Sequence, residues 1–263
     1  MKKNKLTKKD IGIIIIVALI IGFVFSGILS YINYSNKNKE EITEPSGKVE
    51  NLEIGDEVVQ NLFYLTRGDL TGSLFVGTDY ENIYYRQDRI IIDEMDENFK
   101  KILSFVTLNE NLIKQEQSKS IINSDDLKNQ YNKIFGNLTD YKDETFNYNC
   151  PATIEYNKKS NQYEYENACG YSLSSGYVSK LTEAKKYEDR IEIYETVAFY
   201  LLDDNTNEVS YFTTSDYSEY LVVLKNEETF TIEDYADKLD IYKYTFMRDK
   251  DTYHFTKVEK QEK

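Results

Sequence analysis

Residues 177–202 read YVSKLTEAKKYEDRIEIYETVAFYLL. In the second half, Ile191, Ile193, Val197, Phe199 and Leu201 recur at odd positions, while Glu192, Tyr194 and Tyr200 fall between them. Successive side chains of a strand point to opposite faces, so this alternation predicts one long strand with an apolar side. Only Tyr187-Glu188-Asp189 separates it from a second extended run, Tyr177–Lys186. Two long antiparallel strands hinged at that tripeptide are therefore expected, with Tyr194 and Tyr200 on the less buried face. A tyrosine exposed on a sheet can stack on a sugar or anchor a protein partner.

The same period continues toward the C-terminus. Val209–Thr213 and Tyr220–Leu224 read as shorter strands, and Ile232–Leu239 as one or two helical turns. The arms Ile241–Met247 and Thr252–Val258 read as a hairpin turning at Asp249-Lys250-Asp251. A further hairpin is expected from Thr153–Tyr156 and Tyr163–Glu166, with Lys158-Lys159-Ser160-Asn161 at its tip.

Before about Tyr141 the period is nearer 3.6. Asp56 is placed to cap a helix carrying Val58, Val59, Leu62, Phe63 and Leu65 that ends near Gly68. Ile83-Tyr84-Tyr85 and Ile90-Ile91-Ile92 suggest a short hairpin, and Asp93 the start of a helix through Met95, Phe99, Ile102, Leu103 and Val106. Ser124, followed by Asp125 and Asp126, is the expected N-cap of a helix through Leu127, Tyr131, Ile134 and Phe135 that stops at Gly136. Helices followed by an antiparallel meander define an α+β arrangement, short helices on a curved sheet. By analogy it suits a nuclear-transport-factor-2-like or cystatin-like cone, and the analogy carries no function.

Ahead of this lies Ile11–Ile32, IGIIIIVALIIGFVFSGILSYI, 22 residues without a charge. At about 1.5 Å per residue such a helix reaches about 33 Å, enough to cross the bilayer core. The run exceeds the about 7–15 apolar residues of a cleaved signal, so an uncleaved signal-anchor is expected. Lys2, Lys3, Lys5, Lys8 and Lys9 precede it, which places the N-terminus in the cytoplasm and the remainder outside. The expected layout is a cytoplasmic 1–10, a transmembrane helix at 11–32, a flexible tether at 33–51, a mainly helical part at 52–140 and a β part at 141–260. Ala18, Gly22, Ser26 and Ser30 form a small-residue stripe at intervals of four. That stripe lets two such helices pack closely as a homodimer in the membrane.

The chain carries 46 acidic and 32 basic residues, a net charge of −14. The first 36 residues hold five lysines and one aspartate, so the part beyond them has 45 acids against 27 bases, a net of −18. Nucleic acid, which demands clustered Lys and Arg, is excluded as a partner.

The two cysteines, Cys150 and Cys169, bracket the 153–166 hairpin. With its turn centred between Lys159 and Ser160, paired residues sum to 319, which sets Cys150 opposite Cys169 and Ile154 opposite Tyr165. It also sets Glu155 against Glu164. Cross-strand cysteines in an oxidising compartment can form a structural disulfide. Two cysteines and one distant histidine lack metal-ligand spacing, and no CxxC is present.

A Lys-rich start, one span, a tether, short helices, the tyrosine-rich NCPATIEYNKKSNQYEYENACG and the terminal YKYTFMRDKDTYHFTKVE together resemble a group of surface-anchored proteins of low-GC Gram-positive-type bacteria. The resemblance is one of layout and implies no activity.

Catalytic signatures are absent. There is one histidine, His254, on an alternating strand, and no GxSxG, HExxH, phosphate-binding loop or dinucleotide fingerprint. Asp203-Asp204-Asn205-Thr206-Asn207 begins like a calcium loop, but Glu208 and Thr214 occupy its sixth and twelfth positions, so a polar turn is expected. No catalytic, metal or cofactor residues are assigned. The expected function is non-enzymatic binding or scaffolding at the cell surface, toward a surface protein or glycan. The competing class is an extracytoplasmic hydrolase acting through paired carboxylates.

Overall fold

A computed structural model describes residues 48–68, 83–116, 118–136, 141–148, 153–166, 175–203, 205–225 and 228–262. The chain divides into two units, residues 1–46 and 47–263, and the described residues belong to the second. The expected span 11–32 with Ala18, Gly22, Ser26 and Ser30, and both Cys150 and Cys169, lie outside the described residues. No described helix is long and apolar enough to cross a membrane.

The described strands are β1 (Glu50–Asn51), β2 (Arg89–Ile91), β3 (Ile113–Glu116), β4 (Lys119–Asn123), β5 (Phe146–Asn147), β6 (Thr153–Asn157) and β7 (Gln162–Glu166). They continue with β8 (Ser175–Lys186), β9 (Arg190–Asp203), β10 (Glu208–Phe212), β11 (Tyr220–Lys225), β12 (Ile241–Asp249) and β13 (Thr252–Lys260). The helices are α1 (Glu57–Arg67), α2 (Glu97–Val106) and α3 (Ser124–Phe135). The architecture is α+β, three helices packed on antiparallel sheets. The larger sheet runs β1-β8-β9-β12-β13-β2, with β10 and β11 added on β9, and the smaller runs β3-β4-β7-β6-β5.

Strand β9 is the spine of the larger sheet. It pairs with β8 along most of its length, from Lys186↔Ile191 to Ser175↔Leu201. On its other edge it changes partner. β12 pairs with it from Met247↔Arg190 to Ile241↔Thr196, and β10 from Phe212↔Phe199 to Glu208↔Asp203. Bulges at Thr182 on β8 and Thr256 on β13 interrupt the ladders; such insertions bend a strand and increase its twist.

The inward face of this sheet meets the helices. Ile191, Ile193, Val197 and Phe199 join Tyr244, Phe246, Phe255 and Val258, all 1% exposed or less. Opposite them α1 contributes Val59, Leu62 and Phe63, and α2 contributes Phe99, Ile102 and Leu103. Tyr84 sits among these residues with its ring edge-on to Phe99, Tyr244 and Phe255, and its hydroxyl donates to Thr66 O at 2.7 Å.

Three expectations are corrected here. Ile83–Tyr85 is a single 3-10 turn and not a hairpin arm, and all three residues are buried. Arg89–Ile91 instead pairs with β13. The N-cap of α2 is Asp96, whose carboxylate accepts the Phe99 N–H at 2.7 Å, and not Asp93. The N-cap of α3 is Asn123, accepting from Asp125 N at 3.1 Å, while Ser124 turns its hydroxyl to Asp143. The expected register of the 153–166 hairpin is found, with Glu155↔Glu164, Tyr156↔Tyr163 and Asn157↔Gln162 all summing to 319.

Candidate functional site

Glu195 occupies the inward row of β9 between Ile193 and Val197, and is fully buried. A lone carboxylate there would cost several kcal/mol, about what leaving one buried charge unpaired entails. Its partner is Arg67, the last residue of α1. Gly68 ends that helix with φ of 74° and donates its N–H to Tyr64 O at 2.7 Å. A Cβ on Gly68 would sit 2.4 Å from the Val106 carbonyl oxygen, so glycine is what allows this close approach to the end of α2.

The Arg67 fork then meets Glu195 end-on, Nη1 to Oε1 at 2.6 Å and Nη2 to Oε2 at 2.7 Å. The Tyr244 hydroxyl donates to Oε2 at 2.7 Å and accepts from Arg67 Nη2 at 2.7 Å, while Tyr85 donates to Oε2 at 3.1 Å. Phe63 lies beneath the guanidinium at 4.2 Å. Burial opposes the Arg67 charge, but Glu195 and the surrounding phenols hold it protonated well above its usual range. Burial drives the Tyr85 and Tyr244 phenols up and keeps them neutral, against the pull of Arg67. With both oxygens occupied, Glu195 is a structural lock between helix and sheet, not a base awaiting a substrate.

Tyr85 connects this lock to a cleft of about 440 Å³. The cleft opens where β12 and β10 diverge along β9, leaving Val197 and Ala198 without a ladder neighbour on that edge. Tyr85 and Tyr242 form its inner wall, 5% and 3% exposed, with ring centroids 4.9 Å apart. Asp88, Thr214, Asp240 and Lys260 stand around it. Lys260 Nζ binds Asp240 Oδ2 at 2.6 Å. Asp216, also on the rim, accepts from Ser218 N at 3.1 Å and Ser218 Oγ at 2.6 Å. No group of three His, Cys, Asp or Glu side chains among the described residues is arranged to hold a metal ion.

Beside the cleft, β10 and β11 extend beyond the body of the sheet as a two-stranded arm. Every residue of β10 is half-exposed, and among the described residues β11 pairs only with β10. Tyr220 is 59% and Val223 38% exposed. Leu221, Val222 and Leu224 of the same strand are half-exposed. This apolar arm is the part of the described surface best suited to contact another molecule.

The residues singled out earlier fare differently. Tyr194 is half-buried and donates to Glu192 Oε2 at 2.8 Å. Tyr200 is half-buried over Gly176, where a Cβ would lie 2.7 Å from its hydroxyl. Neither is the open ring face expected of it, because short-range partners on the outer face occupy both. His254 places Nδ1 3.3 Å from Lys133 O and Nε2 3.2 Å from Thr252 Oγ1, packing against the end of α3. Asp203 Oδ1 accepts from Asn205 N at 2.8 Å, and residues 205–207 form the expected polar turn. The Arg67–Glu195 lock and the cleft were not expected. One signal pointed to the lock, since Glu195 shares the parity of Ile193 and Val197.

No protein-family model, curated protein or solved structure matches the chain.

Proposed function

We propose that the chain is a single-pass membrane protein whose extracytoplasmic part is a non-enzymatic binding module, docking a protein partner on the β10–β11 arm. The observation that carries the docking element is the apolar, half-exposed character of both strands together with the outer edge of β11. An edge strand of this kind offers main-chain groups for pairing with an extended segment, and its side chains offer pockets for alternate residues. The bulge opposite Phe212 and the charge of Lys225 keep the edge from pairing indiscriminately. The anchor rests on the uncharged run 11–32 and the lysines before it, and the cone-like fold remains an analogy.

The test uses the full chain in membranes, screened against a library of extended peptides. Apolar peptides that bind the wild type and are lost on Val223→Asp or Tyr220→Asp, with the melting temperature kept, support the reading. Both side chains are exposed, so neither change disturbs the core. Equal binding by the variants overturns the arm as docking element. Protease added to intact cells tests the anchor: digestion of the N-terminal lysine-rich segment, with the C-terminal part protected, reverses the orientation.

A further inference from the structure

We propose that the β10–β11 arm docks a second copy of this chain, β11 against β11 in antiparallel pairing about a two-fold axis, a proposal that rests on the arm being the docking element. The order of charges along the edge points to this partner. Glu219 immediately precedes β11 and Lys225 ends it, both exposed, with only Tyr220, Leu221, Val222, Val223 and Leu224 between them. Glu219 Oε2 accepts from Thr213 Oγ1 at 2.9 Å, and Oε1 has no partner among the described residues. The backbone N–H of Lys225 donates to Glu228 Oε2 at 2.7 Å. Its ammonium makes no ion pair among the described residues, even with its ladder neighbour Glu208.

A strand that pairs antiparallel with this edge brings its own start to Lys225 and its own end to Glu219. To answer both charges it must carry an acid at its start, a base at its end and apolar residues between. That is the order of β11 itself, so two copies answer each other at both ends, and the two-fold contact closes as a dimer. Leu221 is the extra residue of a bulge, which confines the regular ladder to Val222–Leu224. With the axis at Val223, Val222 of one copy faces Leu224 of the other. Lys225 then reaches Glu219 just beyond the ladder through two long side chains. The pairing covers Val223, 38% exposed, and the open main-chain groups of the edge. The proposed anchor would concentrate the copies in one membrane, which favours a short interface of this kind.

The experiment measures Förster transfer between full-length chains labelled at the N-terminus with donor or acceptor and reconstituted in the same vesicles of neutral lipid. The wild type should associate. Glu219→Lys alone and Lys225→Glu alone should each weaken association about tenfold, since both end contacts become like-charged. A mixture of the two single variants restores opposite charges at both ends and should associate like the wild type, as should the double variant. A misfolded arm would not be rescued by mixing, and the exposed Lys225→Glu variant should keep the wild-type melting temperature. No transfer in the wild type, transfer indifferent to both reversals, or loss without rescue in the mixture overturns the proposal. Peptide binding to the arm is read separately. If self-association fails while peptides still bind, the second copy alone is overturned; if both fail, the arm falls as docking element too.

Discussion

Arg67 and Glu195, 128 residues apart, form an end-on pair with contacts of 2.6 and 2.7 Å and with side chains 1% and 0% exposed. The pair is the hinge pin of the fold, since it ties the end of α1 to the middle of β9. Removing one partner leaves the other charge stranded. Arg67→Met or Glu195→Leu alone should cost about 3–5 kcal/mol. The double variant should cost clearly less than the two added together, because neither charge is then buried alone. Urea unfolding of the wild type, both singles and the double measures this directly, and additive losses would refute the coupling.

On the opposite face of the sheet a second set of charges controls the response to acid. Burial alone would raise the Glu192 carboxyl, but the Arg190 hydrogen bond, the Lys243 charge and the Tyr194 hydroxyl outweigh it and hold the group below its ordinary 4.5. Glu259 behaves alike: burial raises it, and hydrogen bonds from Lys243 and Lys257 carry it below 4.5. A carboxyl whose folded pKa is depressed adds stability that is complete above the unfolded value and is lost as pH falls through the folded one. The melting temperature should therefore hold steady down to about pH 5 and decline as pH falls below the ordinary 4.5. Lys243 contacts both acids, at 3.9 and 2.7 Å, so Lys243→Met should flatten that decline. An unchanged slope in the variant would show that the acid response arises elsewhere.

These two clusters differ in how far the amino-acid order reveals them. Period-2 alternation sufficed for β8–β9, for the terminal hairpin and for the register of β6–β7, because those pairings are local and their apolar rows are continuous. It failed at Ile83-Tyr84-Tyr85, where three consecutive apolar residues look like a strand yet are all buried by a turn. It also failed at the helix starts, where Asp93 and Ser124 are as good caps as Asp96 and Asn123 until tertiary packing selects between them. The position of Glu195 in an apolar row was legible; its arginine was not, since no local pattern links residues so distant in the chain. The cleft was invisible for a related reason, being made by the divergence of β12 and β10 and not by any one segment.

Glycines at the ends of α1 and α3 should respond differently to the same substitution. Gly68 and Gly136 combine φ of 74° and 75° with extended ψ, a region essentially confined to glycine, so alanine at either costs roughly 1–3 kcal/mol of backbone strain. At Gly68 the added Cβ also meets a carbonyl oxygen at 2.4 Å, which only a backbone shift relieves. At Gly136 it meets the His254 ring at 3.2 Å, and a side chain can yield. Gly68→Ala should thus destabilise the chain more than Gly136→Ala and disturb the Arg67 contacts next to it. Equal melting temperatures for the two variants would contradict this ordering.

The last prediction concerns Cys150 and Cys169, which lie outside the described residues. The pairs Glu155↔Glu164, Tyr156↔Tyr163 and Asn157↔Gln162 establish the register, including two glutamates face to face. Asn157 Nδ2, 3.0 Å from Glu164 Oε1, and then Lys119 Nζ, 3.3 Å from Oε2, hold that carboxyl low and relieve the repulsion. The described β6–β7 pairing ends at Glu155↔Glu164, and β5 folds back on β6 with Asn147↔Thr153, so the expected bridge rests on the sequence positions of the two cysteines. A bridge there would close a loop of a size that contributes about 3 kcal/mol in the chain-entropy model. Peptide mapping of non-reduced protein exported by its native cell should recover one linked peptide holding both cysteines. Cys150→Ser should lower the unfolding midpoint of the oxidised protein to that of the reduced wild type, without a further change on adding reductant. Two free thiols in the exported protein would overturn the bridge while leaving the β6–β7 register intact.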